Sequence, residues 1–272
     1  PGQYFLTQRL GAYLEIQDIK LADTEPFDLD NLKRFRLEDE ALTTLVETRD
    51  LTDFRAAGII SGQVLPGAAG RQQLEIVIQR AEEIYQSIEP YLEGSPSIRA
   101  GEFTIGTQPL QIQLTNLYQG QLVQYRAGRL RAADELSLWT NHLAANLFEP
   151  TPSILIARGK ASKADSCRLE PLTQDDARQH LLGLLGYYER GMKSPLFLPC
   201  HASRTFVSSL MQDHDRELAL SRARAEWSNE QTVSEGDDRY WQRLFQFPEA
   251  FSGPFSSDAC AVWEPLLATR HE

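Results

Sequence analysis

The chain has 272 residues, and its 38 acidic side chains outnumber 27 lysines and arginines to leave a formal charge of −11. That surplus argues against a surface broadly built for nucleic acid, because phosphate binding is driven by Lys and Arg, although a local basic strip can persist. The length allows a sizeable core in one large domain or a domain with a subdomain. No apolar run approaches the roughly 20 residues of a membrane span, and no signal segment is visible. Cys167, Cys200 and Cys260 are odd in number and far apart, which suggests neither a disulfide framework nor a metal knuckle and fits a reducing cytoplasm. A start at Pro1 rather than methionine fits a piece cut from a longer protein.

In chain order, Tyr4, Phe5, Leu6, Leu10 and Tyr13 are spaced as the apolar face of a short helix over Gln3 to Leu14. Glu15 to Asp30 is acidic and mixed, with Pro26 marking a loop. A helix is expected over Leu37 to Thr48 and a shorter one over Thr52 to Ala57, starting at Thr52 or Asp53. Gly58 to Gly70 is rich in glycine but lacks the Lys-Ser or Lys-Thr of a phosphate loop, so it reads as a tight connector. Leu74, Val77, Ile78, Ala81, Ile84, Tyr85 and Ile88 then make one broad face of a helix over Arg71 to Leu92, which Pro90 bends or ends. A strand follows through Phe103 and Ile105.

The stretch from Leu110 to Pro150 organises the chain. Leu110, Ile112 and Leu114 alternate with Gln111, Gln113 and Thr115, the period of a half-buried strand. Tyr118-Gln119-Gly120 supplies a turn, a second strand runs from Gln121 to Arg126, and Leu136, Leu138, Trp139, Leu143 and Leu147 fall at helical spacing. On the second strand Gln124 and Arg126 project from one face, Val123 and Tyr125 from the other. A metal-dependent nuclease places a carboxylate and a lysine at such a pair, to hold Mg²⁺ and to orient water or offset charge on phosphate. Here an amide replaces the carboxylate, and Arg cannot lose its proton to act as a base.

Beyond Pro150 and Pro152, Ser153 to Ala157 is a short buried strand, parallel to the hairpin through the intervening helix. Arg158 to Arg168 reads as a loop carrying Lys160 and Lys163. Thr173 with Asp176 announces a helix whose buried stripe is Leu181, Leu182, Leu184 and Leu185, with His180 on a surface or at an interface. Ser203 is the expected N-cap of one long helix to Trp227, with Phe206, Val207, Leu210, Met211 and Leu218 facing the core and Arg216, Arg222 and Arg224 exposed. Cys200, His201 and His214 lack the spacing and fourth ligand of a zinc site, and His214 with Asp215 points apart on a helix. Ser228 to Asp238 reads as a solvated loop without the ligand spacing of a calcium site. Tyr240, Trp241, Leu244, Phe245 and Phe247 form an aromatic helix, and the tail from Pro248 lies against the domain with fraying last residues.

The order and spacing of these segments resemble the C-terminal domain of RecC, the gamma subunit of the bacterial RecBCD enzyme (exodeoxyribonuclease V). Leu114-Thr115 stands where active relatives of that fold carry Ile-Asp. Leu122-Val123-Gln124-Tyr125-Arg126-Ala127-Gly128 stands over their Ile-Asp-Tyr-Lys-Thr-Gly, and Glu135 with Trp139 over their Gln and Tyr. Pro1 to Gly11, Leu65-Pro66-Gly67 with Gly70, and Tyr187 to Met192 extend the likeness over nearly the whole chain. The resemblance implies an α/β (α+β) restriction-endonuclease-like PD-(D/E)xK core, a mixed central sheet flanked by helices, catalytically degenerate at Thr115, Gln124, Arg126, Glu135 and Trp139. Residues 1–95 would be a largely helical part packed on a nuclease-like core of 96–272, one compact domain overall.

It further implies a non-catalytic structural and interaction domain of a helicase–nuclease for DNA double-strand break repair and recombination, with RecB and RecD as partners and RecD the direct contact. The domain would hold RecD and help shape the DNA path. Contact with DNA would belong to the full complex and be weak or absent for this part alone. Mg²⁺ and ATP would serve other subunits, no cofactor or metal would bind here, and Arg126, Arg129 and Arg131 are the candidate partner or DNA contacts. The competing reading is an active metal-dependent nuclease using displaced carboxylates such as Glu102, Asp134 or Glu135. An unrelated α/β enzyme lacks a convincing nucleophile–base pair.

Overall fold

A computed structural model describes residues 2–14, 31–159, 164–229, 234–247 and 249–271. Pro26, Lys160 and Lys163 lie outside the described residues. A six-stranded mixed sheet runs in the order β1 (Ser97–Ile105), β2 (Gln108–Tyr118), β3 (Gln121–Arg129), β4 (Ser153–Arg158), β5 (Ala164–Leu169) and β6 (Arg270–His271). All neighbours are antiparallel except β3 and β4. A parallel pair needs a crossover, and α5 (Ala132–Asn146) supplies it. The β2–β3 turn places Gln119 at φ 47° and Gly120 at φ 80°, the double positive φ of a type I′ turn, whose twist matches that of the flanking strands.

Before the sheet come the short turn α1 (Gly2–Tyr4), continued by a π-helical Phe5–Arg9, then α2 (Asn31–Thr48), α3 (Thr52–Ile60) and α4 (Ala68–Ile88). The N-terminal segment is therefore helical only to Arg9, and Leu10 and Tyr13 stand exposed. Asp50 starts α3 by accepting from the Thr52 N–H (3.0 Å) and hydroxyl (2.8 Å).

Alternation along the strands divides the core. Val123, Ala127, Ile154 and Ile156 face the stripe Leu74, Val77, Ile78, Ala81, Ile84 and Ile88 of α4, with Leu42 of α2 beside them. Leu122 and Leu155 face the other way, onto Leu138, Trp139 and Leu143 of α5 and the helices behind it. Strand β4 is apolar on both sides because a parallel central strand is covered by helices on both faces.

The second helical layer holds α6 (Gln174–Lys193), α7 (Cys200–Asp213), α8 (Arg216–Trp227), α9 (Arg239–Leu244) and α10 (Phe255–Thr269). Thr173 caps α6 as expected, accepting from the Asp176 N–H at 3.1 Å. Several expectations fail here. The stretch from Arg158 to Arg168 contains β5 rather than a loop throughout, because Cys167 and Leu169 are buried beside β4.

The long helix is two helices. His214 adopts a left-handed φ of 55° and Asp215 caps α8 through the Glu217 and Leu218 N–H groups, both at 3.0 Å. Its first half begins at Cys200, so Ser203 is a buried interior residue and not its cap. Leu182, Met211 and Leu218 are exposed rather than core-facing, and Arg224 is half-buried.

The tail forms α10 and ends as β6 on β5 instead of fraying. It is held by Phe197, whose ring meets Trp227, Trp241, Phe245, Phe251 and Phe255 at centroid separations of 5.0 to 5.7 Å. Edge and tilted ring contacts of this kind add about 0.5–1.5 kcal/mol each beyond area burial.

Gly70 sits where a Cβ would lie 1.7 Å from the Leu65 carbonyl oxygen, whereas Gly183 on α6 has nothing within 4 Å. Gly70→Ala should lower stability by about 1–3 kcal/mol through forced backbone movement. Gly183→Ala should raise it by up to about 1 kcal/mol through helix propensity. Urea unfolding midpoints of the two variants test this, and equal effects would remove the steric account.

Candidate functional site

The sheet forks. Strands β2 and β3 pair only at Leu117–Leu122 and Tyr118–Gln121, then diverge. Between Arg99 and Ser97 on β1 the β2 partner shifts from Leu114 to Leu117, so β2 carries a bulge at this place. Thr115 lies in it, exposed, its hydroxyl donating to Asn116 Oδ1 at 3.3 Å. On the other prong Gln124 and Arg126 are half-buried opposite Leu155 and Ala157 of β4. The fork thus holds three of the positions singled out from sequence.

The charged groups near the fork are tied to one another. The Arg126 guanidinium donates to the Asp134 carboxylate and packs 5.5 Å from the Phe35 ring centre. The same carboxylate accepts from the Arg131 N–H at 2.9 Å, closing the first turn of α5. Gly128 is required beside them, because a Cβ there would come within 2.8 Å of Arg126 Nη2 and 2.9 Å of Phe35. Glu135, next in sequence, points into the interior, where Arg204 of α7 and Arg270 of β6 both donate to it, the latter at 2.9 Å. Arg129 and Arg131 are exposed.

On the opposite face Glu38 accepts from Arg80 at 2.8 Å and Arg158 at 3.0 Å. Glu102 is exposed on the outer strand β1. Among the described residues no group of three or more His, Cys, Asp or Glu side chains is placed to hold a metal ion.

Trp139 is buried and stacks on His142, with ring centres 5.6 Å apart, and touches His180 at 5.5 Å. His180 is therefore half-buried against the core. Sequence reading passed over His142, whose Nδ1 lies 2.8 Å from Ser153 Oγ. This resembles a base–nucleophile pair, yet both residues are wholly enclosed. Asn146 completes the cluster, accepting from the N–H groups of Thr151 (2.9 Å) and Leu172 (2.8 Å). The cluster pins the α5–β4 crossover. No sequence signal marked it, since its members come together only when the helix folds back over β4.

Burial draws the His142 imidazole down to about 4, against a hydrogen bond to the Glu170 backbone that acts the other way. Burial pushes the Cys167 thiol up to about 11 and the Tyr125 hydroxyl up to about 12, which leaves both protonated and unreactive at neutral pH.

A mixed α/β sheet layered between helices, with a fork at which Arg126 is paired to Asp134, defines the class. The family model of the RecC C-terminal domain matches residues 1–210, and the chain belongs to that family. It is 26% identical over 262 residues to the RecBCD enzyme subunit RecC of Escherichia coli, covering 90% of this chain and 22% of that protein. The RecC subunit of Buchnera aphidicola subsp. Schizaphis graminum is 23% identical over 253 residues, again 90% of this chain and 24% of that protein. The chain therefore spans about a quarter of the length of the relatives it matches.

Removing Arg204 and Arg270 together by alanine would strand the Glu135 carboxylate, whose side chain is 2% exposed. That should cost about 3–5 kcal/mol. Glu135→Ala should cost less, because Arg204 and Arg270 are 31% and 26% exposed and can reach water. The reverse order in chemical unfolding would contradict this electrostatic account.

His142 is depressed from 6.5 to about 4 on folding, so the unfolded chain takes up its proton first. Its contribution is full above pH 6.5 and is lost as pH falls toward 4, by about 3 kcal/mol in all. The stability difference between the wild type and His142→Gln should shrink across that window, and a constant difference would show that His142 does not titrate as stated.

Proposed function

We propose that this chain is a catalytically degenerate, restriction-endonuclease-like PD-(D/E)xK core used for architecture and protein contact. Its setting is a helicase–nuclease complex of the RecBCD type, acting in DNA double-strand break repair and recombination in the cytoplasm. Residues 1–95 are, in this reading, a largely helical N-terminal part packed on a nuclease-like core of residues 96–272. In this reading the domain holds RecD within a complex that also contains RecB, and it helps to shape the DNA path. Mg²⁺ and ATP serve the other subunits.

The observation that carries the reading is the Arg126–Asp134 pair at the fork. A nuclease needs an uncompensated carboxylate there to hold a hard dication. Here an arginine occupies one position and neutralises the neighbouring carboxylate, while Thr115 and Gln124 offer only neutral oxygens. Thr115, Gln124, Arg126, Glu135 and Trp139 are the degenerate positions of that core. Displaced carboxylates give the nuclease reading little support, since Asp134 and Glu135 are each engaged by arginine and exposed Glu102 belongs to no metal-holding group among the described residues. Exposed Arg129 and Arg131 remain for partner or DNA contact.

Titration of the purified chain with Mg²⁺ and Mn²⁺ should give no saturable heat, and linear DNA in the same samples should stay intact. Saturable binding with cleavage that Asp134→Asn abolishes would overturn the reading.

A further inference from the structure

Strand β2 is fully paired on one side only. It meets β1 from Gln108 to Leu117, but its other edge meets β3 only at Leu117 and Tyr118. Ile105 and Gln108 close a two-residue hairpin and so bond each other. Backbone direction alternates along a strand, so Leu110, Ile112 and Leu114 turn their N–H and C=O groups to β1, and Gln111 and Gln113 turn theirs away. Among the described residues those outward groups have no backbone partner.

A groove of about 800 Å³ runs along this edge. Leu110, Ile112 and Leu114 border it together with Gln111 and Gln113, so it meets the strand edge-on rather than on one face. Its far wall includes Leu184, Leu185 and Trp263, and no Asp, Glu, Lys, Arg or His lines it among the described residues. A phosphodiester chain would find no cation there. A helix, with its backbone bonds already made, would leave the edge unsatisfied.

We infer that this groove is a strand-addition site: an extended, uncharged, apolar segment of a partner polypeptide pairs with Gln111 and Gln113 and sets alternate side chains against the groove wall. The inference rests on the reading of the domain as a protein-binding scaffold and names how it binds.

Hydrogen exchange at single-residue resolution on the full-length protein, alone and assembled with its partner subunits, is the test. Alone, the Gln111 and Gln113 amides should exchange much faster than those of Ile112 and Leu114, and on assembly they should become protected to a similar degree. Protection already present in the free protein would mean that the chain covers its own edge, and no protection after assembly would mean that the edge has no occupant; either overturns the inference.

Gln113→Pro removes one outward donor while leaving the β1 ladder intact, and should weaken assembly at least tenfold. Gln113→Thr should not. Equal effects of the two variants would also overturn it. Assembly with an unprotected edge would leave the scaffold reading standing, whereas metal binding with DNA cleavage by the chain would strike that reading itself.

Discussion

Glu135 is the constraint on which the arrangement turns. Its carboxylate is buried at the start of the crossover helix and accepts from arginines on α7 and on the last strand. An ionised carboxylate in a protein interior is costly unless its partners are in place, so α5, α7 and the chain end must come together at one point. Glu38 does the same on the other face, joining α2 to α4 and β4. Each helical layer is therefore located on the sheet by one buried acid and two arginines. Apolar packing could tolerate a slip between layers, whereas an unpaired buried charge cannot.

The fork opens on the edge of β3 that faces away from β4. Its parallel partner β4 takes one edge from Leu122 to Arg126, and on the other side Asp39 accepts the Ala127 N–H at 3.3 Å. Arg126, lodged between Phe35 and Asp134, holds that end of the strand toward α2 and α5. Strand β2 continues instead with β1, through the bulge beside Thr115. Arg126 and the bulge at Thr115 thus lie where the two strands separate. That separation leaves Gln111 and Gln113 on β2 without an outward backbone partner among the described residues, beside the apolar groove.

Much of this was legible in the residues. Alternation in Leu110 to Thr115 marked β2, the apolar run of Ser153 to Ala157 marked a strand buried on both faces, and the stripe from Leu74 to Ile88 marked α4. These signals are local, because side-chain period follows directly from backbone geometry. Reading failed where distant partners decide. Leu182 and Leu218 sit at core-like spacing yet face solvent. The helix beginning at Cys200 breaks at His214, which turns left-handed, and Asp215 caps a new helix there. Cys167 and Leu169 became strand residues because β4 and β6 stand on either side of them.

The sequence by itself determined the family, much of the succession of helices and strands, and the neutral or cationic character of Thr115, Gln124 and Arg126. Only the tertiary structure decided what the charged side chains around them do. Arg126 meets Asp134 across the turn into α5, Glu135 meets arginines 69 and 135 positions away, and His142 meets Ser153 through the crossover. The physical reason is that periodicity fixes which way a side chain points, but the sign and burial of its partner depend on which elements pack there.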